Sequence, residues 1–366
     1  MMRLPHFTYH SPRTVREAAE LLAAPGGAML VAGGTDLLPN MKRRQQVPPT
    51  LIGLRRITEL RAISAGPEGP ALQTPDVGRG QPSDVGRVLL DPAHFLAIGA
   101  GVTLTDLVRD VRIRESCGAL WQAASQVATP HLRNMGTLGG NLCLDTRCNY
   151  YDQNYEWRKS IDFCMKKDGE TCWVATGSPK CLAVSSTDTA PALLALGARV
   201  TLVSAHATRQ VDASDLYQND GIHYLTRRPD EILTAVHIPS MDGWRSVYWK
   251  LRRRGSFDFP VLSVAGAARF AADGTVETAR IVLGAVASRP IVAAAAADAL
   301  AGHRLTDEVI AHAADAAAKP AKPMDNTDFD LTWRKRVMKD VVTCALRELR
   351  GDDMRDWRRR LSRMIL

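Results

Sequence analysis

The chain has 366 residues, 45% hydrophobic and 23% charged, a length and balance that suggest two or three globular domains with sizeable cores. Glycine (27) and proline (20) are near average usage, which excludes collagen-like and disordered classes; with no apolar run near the roughly 20 residues of a membrane span and no secretory-type apolar stretch at the amino terminus, a cytoplasmic chain without a membrane partner is expected. The net charge is +8, but residues 333–366 alone hold eleven Lys/Arg against five Asp/Glu; such a basic tail without interleaved aromatics reads as a solvated face or subunit contact, so no nucleic-acid partner is expected.

In chain order, Ser11 is placed to cap a helix carrying Val15, Ala18, Ala19, Leu21 and Leu22 at helical spacing. A short strand over 28–31 ends in the loop Ala32-Gly33-Gly34-Thr35-Asp36, and a second strand follows over 51–54. Residues 66–82 are rich in Pro and Gly and read as a surface loop or lid. A strand at 95–98 leads into Gly99-Ala100-Gly101 and a helix from Thr105. A second glycine turn, Gly136-Thr137-Leu138-Gly139-Gly140-Asn141, precedes a polar stretch over 143–181 with no sustained apolar period. Regular structure resumes with a helix over 190–196 and a strand over 199–203. From about residue 221 the segments 246–253, 262–270 and 275–286 run as strands, the last two joined by the turn Ala272-Asp273-Gly274. Alanine-rich helices cover 290–302 and 306–318, and a third helix covers 332–349. A run of strands followed by a run of helices argues for a separate α+β domain. The expected layout is two α/β lobes in 1–220, an α+β domain in 221–350 and a basic tail in 351–366.

A Gly-Gly step after a strand lets backbone N–H groups approach an anion closely, and two such loops can hold the two phosphates of a dinucleotide between them. Either loop alone is also readable as a tight turn. A Rossmann fingerprint is excluded, because the third glycine after Gly99 and Gly101 would fall at Leu104.

Together, Leu-Val-Ala-Gly-Gly-Thr-Asp-Leu at 30–37, Leu-Arg-Asn-Met-Gly-Thr-Leu-Gly-Gly-Asn-Leu at 132–142 and Asp-Thr-Ala-Pro-Ala-Leu-Leu-Ala-Leu-Gly at 188–197 resemble the FAD-binding subunit of molybdenum hydroxylases. Asp230-Glu-Ile-Leu233, Lys250 and Asp258-Phe-Pro260 are similar to the start of that family's C-terminal domain. The resemblance spans the chain outside 145–182. It implies an α+β fold: a two-lobed FAD-binding domain of the PCMH/VAO type, then a CO-dehydrogenase-flavoprotein-like C-terminal domain. Carried over by position, Leu30, Val31, Ala32, Gly33, Gly34, Thr35, Asp36 and Leu37 would wrap the FAD pyrophosphate. Thr137, Gly139, Gly140 and Asn141 would form the second phosphate-side loop, with Ala128 in the segment leading to it. Asp188 would face the ribityl or ribose hydroxyls. Ile232 and Lys250 would approach from the C-terminal domain, near the adenine and the isoalloxazine. From the residues alone, Asp188 is equally readable as a helix N-cap and Lys250 as a solvated strand-end charge.

Five of the seven cysteines fall within 143–181. A reducing compartment disfavours disulfides. Cys148, Cys164, Cys172 and Cys181, at intervals of 16, 8 and 9, lie in about 35 residues that shorter members of the family lack. Four thiolates suit an iron–sulfur cubane or a structural zinc, and the intervals match neither a paired C-x2-C set nor the bacterial ferredoxin run. Free structural cysteines are the plain alternative. The insertion is similar to that of the 4-hydroxybenzoyl-CoA reductase branch of the family, which implies a [4Fe–4S] cluster on these four cysteines. Cys143 reads as a spectator, and Cys117 and Cys344 as core residues.

The resemblance therefore implies an electron-transfer subunit with FAD and a [4Fe–4S] cluster and no catalytic residue of its own. Its partners would be a molybdopterin-binding large subunit and a [2Fe–2S] small subunit, in a dimer of heterotrimers supplied by a ferredoxin-like donor. The alternatives are a medium subunit of an oxidative hydroxylase acting on another aromatic or N-heterocyclic substrate, and a zinc-stapled scaffold without redox function.

Overall fold

The computed structural model describes residues 3–65 and 95–363; the loop or lid expected over 66–82 lies outside the described residues. The amino-terminal lobe is a three-stranded parallel sheet with Thr50–Gly53 in the centre, flanked by Thr8–His10 and Met29–Val31. Its helix Val15–Ala23 buries Val15, Ala18 and Ala19. The cap is Thr14 rather than Ser11: the Thr14 hydroxyl accepts from the Glu17 N–H, and the Glu17 carboxylate accepts from the Arg13 N–H.

The second lobe is a five-stranded antiparallel sheet in the order Ile63–Ala65, Phe95–Gly99, Ile232–Pro239, Arg199–Val203, Thr208–Asp212. Strand Ile232–Pro239 had been expected in the C-terminal domain. It pairs instead with both neighbours here, Val236 facing Ile98 on one side and Val200 on the other. Five consecutive residues, Ile232 to Val236, are buried, so both faces of the strand are covered there rather than one being open to solvent.

The third layer is a four-stranded antiparallel sheet, Ile291–Val292, Val276–Gly284, Leu262–Phe270 and Trp244–Leu251. Helices Ala294–Leu300, Asp307–Ala318 and Leu331–Arg350 share its apolar core. Residues 291–292, expected as helix, form an edge strand because their backbone completes pairing with Val282 and Leu283.

Two helices join the domains. All seven residues of Thr189–Ala195 are buried, packed among Val282, Ala265 and Ala267 of the third sheet. Gly118–Ser125 is stitched to strand Trp244–Leu251 by Ala119 N–H to Ser246 Oγ (3.1 Å) and Tyr248 N–H to Gln122 Oε1 (2.6 Å).

The described part of the basic tail presents a largely solvated face, with Arg355, Arg359 and Arg360 exposed, and is docked through Arg358. Helix Leu331–Arg350 stops at Gly351, whose φ of 113° reverses the chain. Helix Arg355–Arg363 then returns Arg358 to Glu348 (2.7 Å) and over the Trp249 ring. Arg334 is fully buried and donates to four oxygens, among them the Val261 and Ala285 carbonyls; burial pulls its pKa down to about 10. Among the described residues no helix is long and apolar enough to cross a membrane.

Candidate functional site

The first glycine loop follows strand Met29–Val31 and runs into the short helix Leu37–Lys42. All of residues 30–37 are half-buried, so the loop forms an accessible edge rather than core. Gly34 adopts φ +70°, a conformation that glycine takes without steric cost. At Gly33 an added Cβ would lie 2.0 Å from the Met135 carbonyl oxygen. The two glycine loops are therefore in backbone contact, though a hundred residues separate them.

The second loop is fixed from behind. Leu138 and Gly139 N–H groups donate to the Val102 and Ala100 carbonyls (2.9 and 2.8 Å), and Leu104 N–H donates to Gly136 O (2.9 Å). Thr137 caps the turn Leu138–Leu142, its hydroxyl accepting from Gly140 N–H at 3.1 Å. Gly140 is exposed, and a Cβ there would meet only Thr137 Oγ1 at 3.0 Å. Asn141 is buried, with Oδ1 accepting from Thr187 Oγ1, Thr189 N and Thr189 Oγ1 at 2.7–3.0 Å. Ala128 sits at φ +44° in the turn before this loop, where its carbonyl accepts from Phe257 N–H.

Asp188 is buried and does not cap helix Thr189–Ala195; Thr187 Oγ1 takes that role toward Ala190 N–H. Nor is Lys250 a solvated charge, since its side chain is 0% exposed. The two form an ion pair at 3.0 Å, with Tyr248 OH donating to Asp188 at 2.7 Å and Lys250 also donating to Gln126 O at 3.1 Å. Burial pushes the Asp188 carboxyl up and the Lys250 ammonium down, each opposed by its partner. Both side chains are thus engaged with each other. Ile232 is wholly buried in the first-lobe core, where it packs with Ile52 and Ile57.

Cys148, Cys164, Cys172 and Cys181 are 4–6% exposed and line one pocket, with Tyr150, Met165 and Val174 among its walls. No carboxylate lines it. Backbone N–H groups point at three of the sulfurs: Tyr150 at Cys148, Lys166 at Cys164, and Ala183 at Cys181 (3.4 Å). Burial pushes Cys148 up to about 12 and Cys181 up to about 11, and the neighbouring thiols add to the rise. Among the described residues no three His, Cys, Asp or Glu side chains form a group that could hold a metal ion. The Cys181 wall is tight: a Cβ on Gly221 would fall 2.6 Å from its sulfur.

Cys143 is half-buried and does not line the pocket; it packs against the first core. Cys117 and Cys344 are buried in the two large cores, as expected. Three groups at this site escape sequence reading. Lys166 bonds Asp145, Thr146 and the Gly221 carbonyl at 2.6–2.8 Å. Tyr248 holds Asp188, and Arg147 pairs with Asp36 of the first loop. Only Arg147 carries a signal, its place beside Cys148.

Residues 5–72 and 89–241 match the FAD binding domain in molybdopterin dehydrogenase, and residues 246–349 match the CO dehydrogenase flavoprotein C-terminal domain. The chain belongs to the FAD-binding medium subunits of the molybdenum hydroxylase family. One similar family member is the aldehyde oxidoreductase FAD-binding subunit PaoB of Escherichia coli, 32% identical over 93% of this chain and 98% of that one. Another is the carbon monoxide dehydrogenase medium chain of Hydrogenophaga pseudoflava, 27% identical over 93% and 96%. A solved carbon monoxide dehydrogenase from the same organism superposes with a TM-score of 0.72 at 26% identity, covering 94% of this chain and 97% of that chain. The medium-subunit fold thus accounts for both domains.

Proposed function

We propose that this medium subunit carries FAD and a [4Fe–4S] cluster and passes electrons within a molybdenum enzyme of the 4-hydroxybenzoyl-CoA reductase type. The observation that carries the reading is the four-cysteine pocket. Its four thiols line one buried hollow, the ligand complement that a cubane cluster takes. The N–H groups aimed at the sulfurs and the absence of a lining carboxylate suit a negatively charged cluster, since they offset charge left on thiolate sulfur.

The chain's residues then have distinct tasks. Residues 30–37 hold the pyrophosphate through backbone N–H groups; Thr137, Gly139, Gly140 and Asn141, whose Gly139, Gly140 and Asn141 N–H groups are bonded within the protein, form the wall it lies against, and Ala128 shapes the turn leading there. The exposed face of Gly140 leaves room for a phosphate oxygen. Asp188 and Lys250 act behind that face: their pair fixes the 187–189 segment that clamps Asn141, with Ile232 packed beneath the first loop. Cys148, Cys164, Cys172 and Cys181 hold the cluster. When bound, FAD exchanges two electrons with one-electron partners. Separate large and [2Fe–2S] chains, in a dimer of heterotrimers, would complete a cytoplasmic enzyme that takes electrons from a ferredoxin-like donor and delivers them to the molybdenum subunit for reductive dehydroxylation of 4-hydroxybenzoyl-CoA.

A second reading is an oxidative enzyme with electrons leaving through FAD. It is favoured by relatives named as oxidoreductases and dehydrogenases of aldehyde and carbon monoxide. Assembling the holoenzyme and supplying a reduced low-potential donor with 4-hydroxybenzoyl-CoA separates the two. Benzoyl-CoA formation is the expected result, and turnover only in the oxidative direction, on another substrate, would overturn the reductive reading.

A further inference from the structure

Arg147 belongs to the cysteine-rich insertion, yet its guanidinium reaches the Asp36 carboxylate at the end of the first glycine loop. Asp36 is awkward where it stands. A loop that offers N–H groups to a pyrophosphate gains nothing from a carboxylate at its edge, because like charges repel strongly where solvent is partly excluded. The contacts of Asp36 are Arg147 on one oxygen and Asn40 Nδ2 on the other at 3.2 Å, so Arg147 supplies the compensating charge. The guanidinium also lies 4.9 Å from the Phe259 ring centre and 3.9 Å from Asp152.

The backbone of Arg147 is held by the cysteine pocket. Arg147 and Val184 exchange two hydrogen bonds, N–H to O at 2.8 and 2.7 Å. Cys148 follows Arg147 directly, and Cys181 lies three residues before Val184, its sulfur accepting from the intervening Ala183 N–H. A group bound by Cys148 and Cys181 therefore cross-links the two segments that carry the Arg147–Val184 bridge. The Cys148 N–H donates to Asp152 Oδ2 at 3.2 Å, which ties the same turn to the guanidinium's second carboxylate.

We propose that Arg147 is a positioning residue for FAD, and that through it the filling of the four-cysteine pocket and the binding of FAD strengthen each other. The inference rests on the reading above that residues 30–37 take the pyrophosphate and that the four thiols hold a metal cluster. Linkage is reciprocal: whatever factor the filled pocket contributes to FAD affinity, bound FAD contributes to retention of the metal group.

The test is FAD affinity, measured by titrating flavin into the flavin-stripped, metal-loaded full chain. Arg147→Gln should weaken FAD about tenfold, within the range of ordinary coupling between sites. Adding Asp36→Asn to make the double variant should return most of that loss, because the unpaired carboxylate is gone. Arg147→Lys keeps the charge and should stay near wild type, which separates charge from lost packing. Cys172→Ser, remote from the Arg147–Val184 pair in sequence, should weaken FAD about fivefold in the wild-type chain and leave the double variant unaffected. Equal losses in Arg147→Gln and the double variant would overturn the charge role. A Cys172→Ser effect of equal size in both backgrounds, or of none in either, would overturn the linkage. If iron and sulfide analysis of the wild-type chain finds no cluster, the linkage falls together with the cofactor reading; if the cluster is present and FAD ignores Cys172, the linkage alone falls.

Discussion

Replacing Gly33 with alanine tests the contact between the two glycine loops. The new Cβ would stand 2.0 Å from the Met135 carbonyl oxygen and 2.5 Å from its carbon, whereas ordinary contact begins at 3.4 Å. The loops must therefore part by about 1.4 Å, and both obstacles are backbone, which cannot rotate away as a side chain does. Overpacking of this kind costs about 1–3 kcal/mol, which in a domain of this size lowers Tm by about 2–12 °C. Separation of the loops also shifts the first loop, whose N–H groups are meant for the phosphates, away from the wall formed by the second. Gly33→Ala should lose both FAD and thermal stability. Gly140→Val provides the contrast, because that position meets only the Thr137 hydroxyl and otherwise faces open space. Its fold cost is no more than about 1 kcal/mol of helix propensity relative to glycine, of either sign, while its bulk fills the face where a phosphate oxygen approaches. Flavin content by absorbance and Tm of the flavin-free forms are the two readings. A Gly33→Ala chain with wild-type FAD affinity and Tm would refute the paired-loop geometry, and a Gly140→Val chain with full flavin would refute the placement of the phosphate.

Lys250→Met leaves the Asp188 carboxylate buried with Tyr248 and should destabilise the fold by about 3–5 kcal/mol, with much of the loss recovered when Asp188→Asn is added; chemical denaturation of the four forms checks this, and additive losses would contradict it. His237, bonded to Thr201 Oγ1 at 2.8 Å, is held below its ordinary pKa by burial and then by Arg199. The unfolded chain therefore protonates first, and stability should fall as pH drops below about 6.5 until the folded imidazole takes up its own proton. In His237→Gln a Tm-against-pH curve should be flatter over that interval. Changing any of Cys148, Cys164, Cys172 or Cys181 to Ser should remove iron, whereas Cys143→Ser should not; iron loss from the Cys143 variant would show the ligand set to be wrong. Gly221→Ala should likewise cost iron, because its Cβ would displace the Cys181 sulfur.

The parts of this protein legible in sequence are those where a local rule is also the global one. The glycine loops announce themselves because backbone approach needs glycine wherever the rest of the chain goes. The polar composition of 145–182 likewise marks an insertion, and its structure there is largely irregular apart from the helix Tyr155–Ser160. What sequence did not reveal depends on partners brought from elsewhere. Asp188 and Lys250 each have a reasonable isolated reading, as a cap and as a surface charge, and only the fold pairs them across 62 residues. Strand Ile232–Pro239 looks like the start of a β-rich domain until pairing with Phe95–Gly99 assigns it to the first sheet. Thr14 displaced Ser11 as a cap because the capping geometry is decided by where the first turn begins, a matter of a few residues.

The central claim is that one chain carries both a flavin and a cubane cluster. Purifying the protein without oxygen and measuring FAD, iron and acid-labile sulfide beside its visible spectrum tests this most directly. One FAD with about four iron and four sulfide per chain is the predicted result. FAD with zinc, or with no iron, would keep the family fold and its flavin but contradict the cluster, and with it the reductive route through this subunit.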